Sequence, residues 1–335
     1  MKFPHVDIVK PRMWWLGLSL LVTGPGLIGI IMSMIILHAP VRPGIDFTGG
    51  AILQYQFAKP VELQAVRDIL SKAGEELRGA QVQGATVAGK EVVIMRTKAM
   101  ADDRKDEEVR KGLKETLRQK FGDFKVLSED KVSGIVGPEL LSNGLLALVL
   151  TFGAMIAYIK FRFRFDFAVC AIIALFHDVL ILVGFFAIMG LTPQQTEVDS
   201  LFISAVLTVI GFSVHDTIVV FDRIRENQKY VGSYATDEKT GEKYKRTFGT
   251  VANDSINQTL ARSIYTSLTV IITLTALYFL GGTTTRDFVL AMLIGIISGT
   301  YSSIFNASCL LVWWNEIQAN KKASSKTSTT SATPA

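Results

Sequence analysis

The chain has 335 residues, 35 lysines and arginines against 30 aspartates and glutamates, a 49% hydrophobic composition and a mean hydropathy of +0.34. Only 19% of it is charged, against about 25% in an ordinary soluble domain, so a membrane protein replaces a soluble enzyme as the first reading. The net charge of +5 is no nucleic-acid footprint, because the cations sit between apolar runs; Cys170 and Cys309, both inside such runs, supply neither a disulfide framework nor a zinc site.

After a polar N-terminal segment at 1–13, residues 14–37 form an apolar run too long for a cleaved signal peptide and read as the first membrane span. The next segment, 38–138, is long enough to be a domain. It opens with Gly44-Ile45-Asp46-Phe47-Thr48-Gly49-Gly50 and a strand over Ala51–Phe57. A helix follows Pro60, with Leu63, Val66, Ile69 and Leu70 at helical spacing, and Val87 and Val92–Met95 then read as two strands joined at Gly89-Lys90. A charged helix over 103–121 and a strand over Phe124–Leu127 complete the order strand, helix, two strands, helix, strand. That order predicts a split βαβ, ferredoxin-like α+β domain. Gly137-Pro138-Glu139 has the proline and acid that favour a helix start.

Further runs at 139–159, 166–190, 199–221, 259–281 and 287–314 are each long enough to cross the roughly 30 Å hydrocarbon layer, which makes six spans. Six spans place both termini on one side. That side carries Lys2, Lys10, Arg12, Lys160, Arg162, Arg164, Lys321, Lys322 and Lys326, together with the cations of the 222–258 connection, whereas 191–198 has none. The positive-inside rule makes it the cytoplasm and 38–138 an extracytoplasmic domain. Trp14, Trp15, Trp313 and Trp314 fall at the inner ends and read as interfacial anchors, and the Ser/Thr-rich tail within 315–335 reads as disordered.

A charge at membrane depth costs a few kcal/mol on insertion scales and needs a partner or a task. Asp178 beside His177, Asp216 beside His215, and Arg262 are the groups concerned. At about 1.5 Å per residue Asp216 and Arg262 can lie level, while Asp178 is nearer mid-membrane. Arg262, Thr266, Thr269 and Thr273 form one polar stripe that should face protein or water; Gly295, Gly299, Ser302 and Asn306 form a small-residue stripe read as packing. With four histidines, no phosphate loop and no Ser-His-Asp spacing, the chain has no expected catalytic site, metal or cofactor, and is not expected to be an enzyme.

The stretch from Gly211 through His215-Asp216 and Asp222-Arg223-Ile224-Arg225-Glu226 to Asn227 resembles the signature of SecF, a membrane-subunit family of the bacterial protein-export machinery. The resemblance extends to Asp46, Phe47, Gly49 and Gly50 after the first span, to Ala174–Val179, and to Ser255–Ser263. It implies half of a transporter of the resistance-nodulation-division type, paired with SecD and working beside the SecYEG channel. The proton-motive force would complete the movement of unfolded preproteins across the bilayer of a bacterial plasma membrane, or of a thylakoid. Carried over residue by residue, Asp216 and Arg262 occupy the proton-relay positions, with further acids supplied by SecD; for Asp178, His177 and His215 the residues themselves leave two readings open, a secondary relay or structural groups with the histidines satisfied by neighbouring backbone. His215 stands where many relatives have Asn, and the connection around Tyr234–Glu242 is longer than the family's. A passive scaffold for SecD is the rival reading; a stand-alone efflux pump fits the signature poorly.

Overall fold

The computed structural model describes residues 5–73, 77, 80–87, 90–97, 103–132, 136–192, 196–236, 242–282 and 285–330. In chain order its elements begin with α1 (Arg12–Leu37), the short turn α2 (Ile45–Thr48), β1 (Gly50–Phe57), α3 (Leu63–Ala73), β2 (Gln81–Val87), β3 (Lys90–Thr97), α4 (Asp103–Phe121) and β4 (Phe124–Val132). There follow α5 (Val136–Arg162), α6 (Phe165–Leu191), α7 (Ser200–Asn227), the hairpin β5 (Tyr234–Thr236) and β6 (Lys243–Lys245), α8 (Phe248–Leu280), α9 (Arg286–Tyr301), a π-helical turn at Ser302–Ala307, and α10 (Ser308–Thr330). Among the described residues six helical stretches are long and apolar enough to cross a membrane, the sixth being α9, the π turn and the start of α10.

Contacts divide the chain into two units. One comprises Ser33–Val149 and Phe186–Ile203. Its β1–β4 form a four-stranded antiparallel sheet in the order β2-β3-β1-β4, with a bulge in β1 against β4 at Gln54/Tyr55. Along β1, Leu53, Tyr55 and Phe57 are buried while Ile52, Gln54 and Gln56 are half-buried, the two-residue period of a strand with one covered face. The covering comes from α3 and α4, whose Val66, Ile69, Leu70, Leu113 and Leu117 complete the core. Gly89, where the hairpin turn was expected, lies outside the described residues. The Tyr55 hydroxyl donates to Glu129 at 2.7 Å, and Lys114 sits 2.8 Å from the same carboxylate. Burial alone would raise the Glu129 carboxyl, but Lys114 and the Tyr55 hydroxyl outweigh it and hold it below the usual range; burial, with Glu129 beside it, pushes the Tyr55 phenol up.

The other unit comprises Met1–Met32, Leu150–Phe185 and Ser204–Ala335. Glycine sets one close helix contact: a Cβ on Gly184 of α6 would lie 2.5 Å from Gly26 Cα of α1, so the two backbones touch. In lipid, where no hydrophobic force drives helices together, such close approach is a main source of association. On α9 a Cβ at Gly295 would meet Val209 of α7 at 2.2 Å, and one at Gly299 would meet Ser213 at 3.1 Å, so these two glycines do pack as the small-residue stripe predicts.

Three boundaries differ from the hydropathy reading. Helix α8 starts at Phe248, well ahead of 259, because Thr247 caps it by accepting the Thr250 N–H at 3.2 Å and polar residues can continue a helix outside the apolar layer. Helix α7 likewise runs on to Asn227 rather than 221. Helix α10 runs to Thr330 where a disordered tail was expected from 315, since Glu316, Gln318, Ala319 and Lys321 are good helix formers that extend an existing helix. Residues 237–241 of the long connection and 331–335 of the tail lie outside the described residues.

Candidate functional site

Two buried acids organise the helical unit. Helix α7 turns Ser213, Asp216, Thr217, Val220 and Ile224 inward at three- and four-residue spacing, and Asp216 is only 5% exposed. Its Oδ1 accepts the Ser263 hydroxyl of α8 at 2.9 Å. Its Oδ2 is buried and has no hydrogen-bond partner among the described residues. A buried carboxylate oxygen without a donor is costly in an isolated chain and demands either a proton or a donor from outside.

Asp178 on α6 is fully buried and has the opposite surroundings. Oδ2 accepts the hydroxyls of Ser213 and Ser302, each at 2.6 Å, and Oδ1 accepts that of Ser298 at 2.8 Å. His177 Nδ1 lies 3.0 Å from Oδ1. His177 Nε2 lies 3.3 Å from the Asn306 amide, which in turn accepts from Ser19 at 2.8 Å. In that arrangement the imidazole carries its proton on Nδ1 and donates to Asp178, giving the carboxylate four donors from α6, α7, α9 and the π turn. Hydrogen bonds to a charged acceptor contribute about 1.5–3 kcal/mol each, so Asp178 ties these elements together strongly. The π turn takes part directly: Ser302 and Asn306 belong to it, and Ser303 bonds Thr217 at 2.8 Å. π turns interrupt α-helices most often where side chains must be re-aimed. The serines were not predicted. A hydroxylated small residue in an apolar helix reads as packing, and only its distance from a buried acid reveals more.

Arg262 does not pair with Asp216 among the described residues. The next residue, Ser263, is the one that reaches the acid, and Arg262 faces outward with Thr266, Thr269 and Thr273. The threonines bond back to their own helix, Thr266 to the Arg262 carbonyl and Thr273 to that of Thr269. The stripe is therefore not covered by the described elements of this chain. His215 is also exposed, so of the secondary candidates only His177 and Asp178 come together.

At the end of α7 the charged signature forms a knot. Asp222 accepts from Arg162 of α5 with both oxygens at 2.9 Å and pairs with Arg225 at 2.8 Å. Arg223 pairs with Glu226 at 3.0 Å and bonds Gln258 of α8, and Asn227 bonds Ser255 at 2.9 Å. These residues fix helix ends. Trp15, expected as a lipid anchor, donates to the Ile8 carbonyl at 3.0 Å and lies against Phe305, whereas Trp14 is exposed.

In the sheet-bearing unit, Asp46 accepts the N–H of Ser200 at 2.9 Å together with its hydroxyl, so the acid caps the start of α7. Phe47 is buried. Gly49 and Gly50 have φ of 71° and 140°, and a Cβ on Gly50 would lie 2.3 Å from the Thr97 carbonyl. Only glycine fits there. Gly137 closes on the same loop, where a Cβ would stand 2.8 Å from the Phe47 carbonyl.

Residues 112–317 match the family model of the C-terminal part of protein export membrane proteins SecD and SecF, and residues 35–61 match that of the SecD/SecF GG motif. The chain is 44% identical over 316 residues to the protein translocase subunit SecF of Thermobaculum terrenum, covering 92% of this chain and 94% of that one. Identity to the SecF of Synechocystis sp. is 38% over 317 residues, 92% of this chain and 93% of the relative. The crystal structure of SecDF, a translocon-associated membrane protein from Thermus thermophilus, superposes with a TM-score of 0.77 at 31% identity, covering 94% of this chain and 39% of that one. This chain thus spans about two fifths of that longer protein.

Proposed function

The chain belongs to the SecD/SecF family of protein-export membrane proteins, and on that premise we propose that it is the SecF-type half of a SecDF complex that uses the proton-motive force to help move unfolded preproteins across a bacterial plasma membrane. It does so as a non-enzymatic subunit without a cofactor, beside SecD and the SecYEG channel, with both termini cytoplasmic. The order of strands and helices and the sheet order β2-β3-β1-β4 support a ferredoxin-like extracytoplasmic domain.

The observation that carries the relay is the unpartnered Oδ2 of Asp216. A proton satisfies it in one state; in the other, the ionised acid needs a second hydrogen-bond donor that the described residues of this chain do not bring. Arg262 and its threonine stripe, turned outward, fit a site completed across the contact with SecD. One charge moved through 100 mV supplies about 2.3 kcal/mol. Swinging a two-state element from 1:99 to 99:1 takes about 5.5 kcal/mol, so a swing that complete exceeds what one proton supplies at 100 mV.

Gradient-dependent translocation in vesicles holding the intact complex tests this. Asp216→Asn keeps the shape but cannot titrate, and is expected to remove the gradient-dependent part while the complex stays assembled. Wild-type export by that variant would sink the relay. Loss of the complex itself would instead favour the scaffold reading, which the same outward stripe also fits.

A further inference from the structure

Helix α8 carries Asn253 and Asn257 on one face near its start, and the chain's own N-terminal segment lies along that face. Asn257 Oδ1 accepts the Val6 N–H at 2.9 Å, and its Nδ2 donates to the Val6 carbonyl at 2.8 Å. Asn253 Oδ1 accepts the N–H groups of Ile8 at 2.8 Å and Val9 at 3.3 Å, while its Nδ2 donates to the Val6 carbonyl at 3.2 Å. Every one of these bonds goes to main-chain atoms. An asparagine side chain copies a peptide group, so two of them one turn apart offer an extended backbone what a strand edge would offer. Ile8 and Val9 are also read by their side chains, being 1% and 9% exposed, and the Ile8 carbonyl accepts from Trp15 Nε1 at 3.0 Å. At either end of the segment His5 meets Asp254 at 3.1 Å and Arg12 meets Glu316 at 2.7 Å.

We propose that the Asn253–Asn257 face of α8 is a peptide-binding site that recognises main chain, with the N-terminal residues 5–9 as its resident ligand, and that occupancy sets the register of α8 and hence the Ser263–Asp216 contact. The site stands on the hydrogen bonds alone. The effect on register rests on the export reading above, since Ser263 follows Asn257 by less than about two helical turns.

The test deletes residues 1–9 from the chain in the assembled complex and adds a fluorescent synthetic peptide of residues 1–11. Saturable binding is expected, at least tenfold weaker when Asn253→Ala and Asn257→Ala are combined. A peptide with alanine at the exposed position 6 should bind like the original, and one with Ile8→Asp should not. No saturable binding to an assembled truncated complex overturns the site. If truncation prevents assembly, amide hydrogen exchange on the full-length chain decides: the 5–9 amides should exchange at least tenfold faster in the asparagine double variant, and unchanged exchange overturns the site. Gradient-driven export should fall at least threefold on truncation and return with the peptide; binding without that return overturns the register effect. Wild-type export by Asp216→Asn would remove the export reading and leave the binding result to decide the site by itself.

Discussion

Asp178 and Asp216 sit in neighbouring helices of the same apolar unit, and almost everything about their surroundings differs. Asp178 is met by three serine hydroxyls and an imidazole; Asp216 is met by one serine and keeps a bare oxygen. A carboxylate whose acceptor positions are all used holds its neighbours in place and resists change. One with an unused oxygen is poised to take up a proton or a new partner. Burial alone therefore does not separate Asp178 from Asp216; the satisfaction of their oxygens does.

The largest expected effect breaks the pair apart functionally. Asp216→Asn should reduce gradient-dependent export at least tenfold with little change in thermal stability, measured on the purified complex. Asp178→Asn should do the reverse in first order: its amide group turns donors toward serine donors, costing about 1–3 kcal/mol for each polar group left unpaired, seen as a lower melting temperature and reduced assembly. If Asp178→Asn instead stops export at unchanged stability, the contrast fails and Asp178 joins the relay. Ser302→Ala sharpens the comparison further, because removing one of four donors should cost about 1.5–3 kcal/mol of stability and leave export intact.

The smallest effect concerns an acid outside the spans. Glu129 is held below its ordinary range in the folded state by Lys114 and Tyr55, so its contribution is complete above about pH 4.3 and is lost as the pH falls through the folded value. Glu129→Gln should cost about 1 kcal/mol or less at neutral pH, and nothing at pH 2, in denaturation of the complex followed by hydrogen exchange in β4.

Six apolar runs and one alternating, helix-interrupted segment were plain in the sequence because hydropathy and periodicity report directly on burial. Asp216 was legible too, since a charge in an apolar run is conspicuous. What surrounds it was not. Serines 213, 263, 298 and 302 and Asn253 and Asn257 are ordinary residues whose importance lies in distances set by packing, which no local pattern encodes. Arg262 shows the same limit: depth arithmetic puts it level with Asp216, yet helix rotation decides which of Arg262 and Ser263 reaches the acid.

The π turn at Ser302–Ala307 amounts to a single surplus residue held inside a membrane helix. Ahead of it Ser298, and at its first position Ser302, point at Asp178; beyond it, Cys309, Leu311 and Val312 are all fully buried. Both faces are correct for their neighbours only because the reading frame of the helix slips between them. Removing one residue there would restore a regular α-helix and, in the same stroke, turn everything that follows through about 100° onto the wrong face.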